Sequence, residues 1–405
     1  RIMGVFYNQT SAHTNDALQK IQAEMAPKLV RHEAAIQMNA ALFKRIEALY
    51  ETRETLGLGA EQMRLLTETH KGFTRAGAAL DETAQADLKA INEEISVLTT
   101  RFGQNSLAET NDFQLVVDNE DDLAGLPDSV RAAALETGRE LGHEGAHVFT
   151  ISRSSFTPFM QAADNRDLRE KMFRAYTHSG DNNNEHDNKA IASKIASLRV
   201  RRANIMGHKT HAEFELSDRM AGSPDAAYGL LRQLWEPAVA KAKKEAEDLQ
   251  ASIQRSGGNF KLAPWDWWYY TEKVRAENFD MNVEEIKPYF ELSRVRDGAF
   301  HVATQLYGLT FKQLHNVPVY HEDVEAWEVS DADGSHIGVF LADYFMRPSK
   351  RGGAWMSAYR EQKKLDGETR PIIVNVCKFP KGSGDQPSLL GPDEVRTLFH
   401  EFGHA

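Results

Sequence analysis

From about Thr14 to Arg101 the sequence spaces its apolar residues at three- and four-residue steps, and this periodicity commits the stretch to helix. Ala17, Ile21 and Met25 fall on one stripe, and Leu42, Phe43, Ile46, Leu49 and Tyr50 on another. Leu88, Ile91, Ile95 and Leu98 carry the pattern through the segment from Leu80 to Phe102. Stripes of this kind bury against each other, which predicts long antiparallel helices. Gly57 and Gly59 mark a helix stop. No run reaches the roughly 18 apolar residues that a membrane-spanning helix needs.

The texture then alternates. Leu115-Val116-Val117 and Val148-Phe149-Thr150-Ile151 are short β-branched runs, with a brief helix expected from Asp128 to Arg139. Helix returns from Asn165 to Arg202, broken by a polar corner at Asp181 to Glu185. Another long helix starts at Pro224, with Ser223 as its cap, and ends near Ser256 before Gly257-Gly258-Asn259. Pro264 to Tyr270 is the densest aromatic stretch; it could stack on a ligand, but it is expected to wedge one lobe against another. Beyond Pro288, strands are expected at Val317–Tyr320, Val324–Ser330, His336–Tyr344 and Pro371–Val376, with Asp331 to Gly334 as a hairpin turn.

A chain of 405 residues exceeds one ordinary core. The expected division is a mainly helical lobe at 1–262 and a second lobe at 263–405 that holds a small sheet. Arg1 is not an initiator methionine, and the expectation is a fragment truncated at both ends. The formal net charge of −11 disfavours nucleic-acid binding, which wants a basic stripe. Cys377 is the only cysteine, so neither a disulfide nor a thiolate zinc site is expected. A reducing cytoplasm fits this usage, with the periplasm as alternative because a leader would precede Arg1.

The sequence holds His-Glu-x-x-His twice. At His143 to His147 the context is wrong: Gly138, Gly142 and Gly145 surround it and the strand-like Val148 to Ile151 follows. In extended chain, residues four apart are some 13 Å apart, too far for two imidazoles to share an ion. This copy is expected to be a polar turn. His400-Glu401-Phe402-Gly403-His404 sits in a helix with every expected mark. Pro392 opens it, Asp393 and Glu394 complement its positive end, and Val395, Leu398, Phe399 and Phe402 form an apolar stripe. Helical spacing puts His400 and His404 on one face as ligands of one Zn²⁺, with Glu401 beside them to accept a proton from water. A third protein ligand is expected beyond Ala405. Arg351 to Trp355 is open to two readings: a glycine loop that approaches a substrate, or a tight connection. His208, His211, His315 and His321 have no partner at ligand spacing and are expected to be packed or surface histidines.

Leu398 to Ala405 resembles the zinc motif of the thimet-oligopeptidase (M3) metallopeptidase family, and Lys350 to Met356 is similar to its bacterial branch. Within that branch, Ala263 to Trp267, Pro288 to Leu292, Val374 to Cys377 and Ser11 to Asp16 look more like the peptidyl-dipeptidases than oligopeptidase A. The resemblance implies a two-lobed, mainly α shell around a substrate channel, with a small β-sheet beside a zincin-type helix. It implies a monomer acting on short unfolded peptides, with no nucleic-acid or membrane partner, that releases C-terminal dipeptides. His400 and His404 map onto the family's zinc ligands and Glu401 onto its general base. The family's third ligand, a glutamate on a following helix, and its downstream histidine and tyrosines have no counterpart in residues 1–405. The rival readings are an endopeptidase like oligopeptidase A, a non-catalytic peptide-binding shell, and a purely structural helical scaffold.

Overall fold

The computed structural model describes residues 2–279, 283–365, 367–382 and 387–405, and among them are fifteen α-helices and seven β-strands. The chain forms two compact units, one of Arg1–Asp16, Leu107–Ser179 and Lys244–Ala405, the other of Ala17–Ser106 and Gly180–Lys243. It crosses between them at 16/17, 106/107, 179/180 and 243/244, whereas the sequence sets one boundary between 262 and 263.

The second unit is helical, as its periodicity predicts. Ala34, Met38 and Leu88 bury together, with Leu80, Ile205 and Met206 against them. In sequence the polar corner at 181–185 lies between two helices, Arg166–Thr177 of the first unit and Lys189–Ile205 of the second. Asn188 secures the second of them: Asn105 Nδ2 donates to its Oδ1 at 3.0 Å, and its own Nδ2 donates to the Phe102 carbonyl at 3.1 Å.

In the first unit, β1 (Leu115–Val117) pairs antiparallel with β2 (His147–Phe149), and the helix Asp128–Glu140 joins them. Gly138 lies on that helix where the Ala146 carbonyl comes so close that an added Cβ would sit 2.1 Å from it. Only glycine admits the turn to that depth. The aromatic stretch packs, but its partners lie within the first unit. Pro264–Asp266 is a 3-10 turn leading into the helix Trp267–Phe279. Trp265 and Trp268 lie against a core of Phe149, Phe156, Phe159 and Met172, while Tyr269 and Tyr270 pack with Leu249 and Ile253.

A five-stranded sheet follows, built from β3 (Thr310–Leu314), β4 (Glu325–Ser330), β5 (His336–Phe345), β6 (Trp355–Arg360) and β7 (Ile372–Phe379). Its order is β3-β4-β5-β7-β6; β5 and β7 run parallel and every other pair antiparallel. The inner strands are covered on both faces. Phe340, Ala342, Tyr344, Cys377 and Phe379 meet the helix Leu292–Tyr307 and Leu398 on one side. Leu341, Val374 and Val376 meet Ala12, Val324 and Ala326 on the other. Double burial explains why β5 and β7 read as nearly continuous apolar runs. One strand expectation fails, and two strands were not expected. Val317–Tyr320 is not a strand, because Pro318 has no N–H for a ladder. β3 and β6 carry little apolar signal because each is an edge strand with one neighbour and no fully buried side chain.

Candidate active site

The site is built on the helix Pro392–His404. Pro392 fills the first turn, where its missing N–H costs nothing. The Glu394 carboxylate accepts the Gly391 N–H at 2.7 Å, which is half of a capping box because glycine offers no side chain in return. Burial raises the Glu394 pKa, with that hydrogen bond opposing. Losing the bond in Glu394→Ala is expected to lower stability by about 1 kcal/mol, read from the midpoint of urea unfolding.

Val395, Leu398 and Phe402 hold the helix on the sheet, and the Phe402 ring lies 5.7 Å from Phe300 and 5.6 Å from Phe340. Phe399, expected on the same stripe, is 38% exposed. At about 100° per residue, Leu398 and Phe402 stand nearly on the line facing the sheet, while Phe399 is turned some 60–100° away from each. The same arithmetic puts Glu401 between the buried stripe and the face of His400 and His404. Glu401 is accordingly 7% exposed, while both histidines are exposed.

The two imidazoles converge. Their Nε2 atoms are 3.2 Å apart and their ring centroids 4.8 Å apart, with the rings at 86°. Two nitrogens at about 2.0–2.1 Å from one tetrahedral zinc are separated by roughly 3.3 Å. The observed separation matches that spacing. Among the described residues no group of three or more His, Cys, Asp or Glu is arranged to hold a metal. Cys377 lies fully buried under the helix. Burial pushes its thiol up to about 12, with the Glu401 charge adding to the shift. The first His-Glu-x-x-His copy is a turn, as expected: His143 meets Gln114 Oε1 through Nε2 at 2.8 Å, and His147 opens β2.

The structure adds a charged cluster that no sequence motif marks. Lys350 is fully buried, and its ammonium donates to Asp343 Oδ1 at 2.8 Å and to the carbonyls of Asp343 (3.2 Å), Phe345 (2.6 Å) and Cys377 (2.8 Å). Arg347 Nη1 and Tyr320 Oη also donate to Asp343, at 2.9 and 2.6 Å. Burial pulls the Lys350 pKa down to about 8 against the opposing charge of Asp343. The signal lay in the sequence: Asp343 is a lone acid inside the apolar run of β5, where a carboxylate needs a partner.

A family model described as peptidase family M3 matches residues 159–405. The chain is 38% identical to dipeptidyl carboxypeptidase of Escherichia coli over 405 residues, which is all of this chain and 59% of that protein. It is 31% identical to oligopeptidase A of Haemophilus influenzae over 400 residues, 97% of this chain and 59% of that one. Saccharolysin of Saccharomyces cerevisiae is 27% identical over 394 residues, 93% of this chain and 53% of that protein. The chain thus spans less than two thirds of the length of these relatives.

Proposed function

The chain belongs to peptidase family M3, and from that premise we propose that it works as a zinc peptidase releasing dipeptides from the free C-termini of short, unfolded peptides. The observation that carries this reading is the 3.2 Å approach of two Nε2 atoms on one helix, with a carboxylate between them in sequence. His400 and His404 would hold zinc through those nitrogens, and a further donor is proposed from outside residues 1–405. Zinc in such a site supplies Lewis acidity toward a carbonyl and toward water. Glu401 would take the proton of the attacking water on a carboxylate oxygen and pass it to the departing amine. A peptide running along the edge strand β6 would gain main-chain hydrogen bonds there. The helical shell with a central channel, the monomeric state and a cytoplasmic location, with the periplasm as alternative, belong to the same proposal. Among the described residues no helix is long and apolar enough to cross a membrane.

Matched peptides with free and amidated C-termini test the reading. Dipeptide release from the free series, its loss on amidation and its loss to a chelator, restored by added zinc, are the expected results. Cleavage indifferent to amidation would point to an endopeptidase like oligopeptidase A. Cleavage indifferent to the chelator would remove the metal from the mechanism. A second reading is peptide binding without turnover. It predicts peptide affinity with no product.

A further inference from the structure

We propose that Lys350 is a positioning residue for peptide binding: its buried ammonium fixes the loop 351–354 and the start of β6 beside the helix Pro392–His404. The inference rests on the peptide-hydrolase reading and deepens it.

The ammonium ties carbonyls at the ends of both parallel strands, Asp343 and Phe345 from β5 and Cys377 from β7. It does so where the β5/β7 register slips, between Asp343 and Phe345. At such an irregularity the ladder no longer fixes the relative height of the two strands, and the ammonium takes over that task. The backbone of Lys350 is clamped as well. Its N–H donates to the Arg347 carbonyl at 3.0 Å, and its own carbonyl accepts Lys378 Nζ at 3.1 Å. The next residue is held too, since the Arg351 N–H donates to the Ser11 carbonyl at 2.9 Å.

Beyond that clamp the chain is free for two residues. Gly352 and Gly353 have no atom within 4 Å of a notional Cβ, and Gly353 takes φ +92°, where a side chain is strained. Their N–H groups make no hydrogen bond to the described residues. Ala354 then returns to the apolar cluster that holds Val395, Leu398 and Phe402, and Trp355 begins β6 with the Arg351 guanidinium 4.4 Å above its ring. A loop anchored at both ends with two bare donors between them suits an extended peptide backbone, not a particular side chain. Lys350 supplies the anchor that the motif helix does not touch.

The test uses Lys350→Met, which keeps length and removes the charge. A peptide with its scissile amide reduced is titrated calorimetrically into the metal-free protein, and KM and kcat are measured with zinc. At least a 10-fold loss of affinity and a matching rise in KM are expected, with kcat within threefold, zinc uptake unchanged and faster amide exchange at 351–355. Unchanged affinity and KM overturn the inference, whatever the exchange rates do. If Lys350→Met does not fold, Gly353→Ala strains the same loop from its open side and is expected to raise KM equally; no rise overturns the inference. Failure of the unmutated protein to bind the peptide sinks both this inference and the peptide-hydrolase reading. Binding that Lys350→Met leaves intact sinks the inference alone.

Discussion

Glu401→Gln is expected to lower dipeptide release by about 10²–10⁴-fold, the usual contribution of one positioned proton acceptor. The substitution keeps size and planarity, so the helix should keep its seat on Leu398 and Phe402. Zinc uptake should be unchanged because the carboxylate is not among the paired Nε2 donors. The geometry makes the carboxylate a free acceptor: Glu401 is 7% exposed and its carboxylate makes no hydrogen bond with the described residues. A base committed to a structural partner would lose less on substitution, since its proton affinity would already be engaged. The measurement is kcat at saturating peptide beside zinc content per chain. Turnover within a few-fold of the unmutated protein would remove Glu401 from the mechanism. Loss of turnover together with loss of zinc would make its role structural.

Much of the helix pattern was legible because its causes are local. Asn165 accepts the Asp167 and Leu168 N–H groups as an N-cap, Pro224 opens the helix Pro224–Arg255, and each signal lies within four residues of its effect. The convergence of His400 and His404 was legible for the same reason, since residues 400 and 404 are one helical turn apart. Phe399 shows where such reasoning stops: the spacing puts it near the apolar stripe, but only the position of the sheet shows that it falls outside the contact. The edge strands were not legible. β3 and β6 owe their extended form to partners up to 21 residues away, Glu328 and Trp327 for one, Val374 and Asn375 for the other, and not to their own alternation. The Lys350 cluster was hidden for a related reason. It joins residues 320, 343, 347, 350 and 377, and no single window of sequence contains them all.

The largest stability effect is expected at Asp266, where one carboxylate serves two guanidinium groups. Arg166 Nη2 donates to Asp266 Oδ2 at 2.9 Å and Arg169 Nη2 to Oδ1 at 3.1 Å, and the Ala263 N–H donates to Oδ2 at 3.0 Å. Asp266 is fully buried and the Arg169 side chain 2% exposed, whereas Arg166 is 32% exposed. In Asp266→Asn, Arg166 can turn to water, but Arg169 cannot. Its Nη1 remains with the carbonyls of Ala163 and Asp164, and its charge is left buried beside the Tyr269 ring, 4.1 Å away. Removing one partner of a buried pair costs about 3–5 kcal/mol. Asp266→Asn is therefore expected to lose that much, read from urea unfolding. Arg166→Met, which breaks only the exposed arm, should cost about 1 kcal/mol or less. The damage should spread through the aromatic stretch, because Asp266 sits between Trp265 and the helix Trp267–Phe279. Trp265 and Trp268 report on it directly: their fluorescence should shift toward that of exposed indole at lower urea than in the unmutated chain. A loss below about 1 kcal/mol for Asp266→Asn would mean that water reaches Arg169, and that this cluster orients the 264–270 segment without stabilising it.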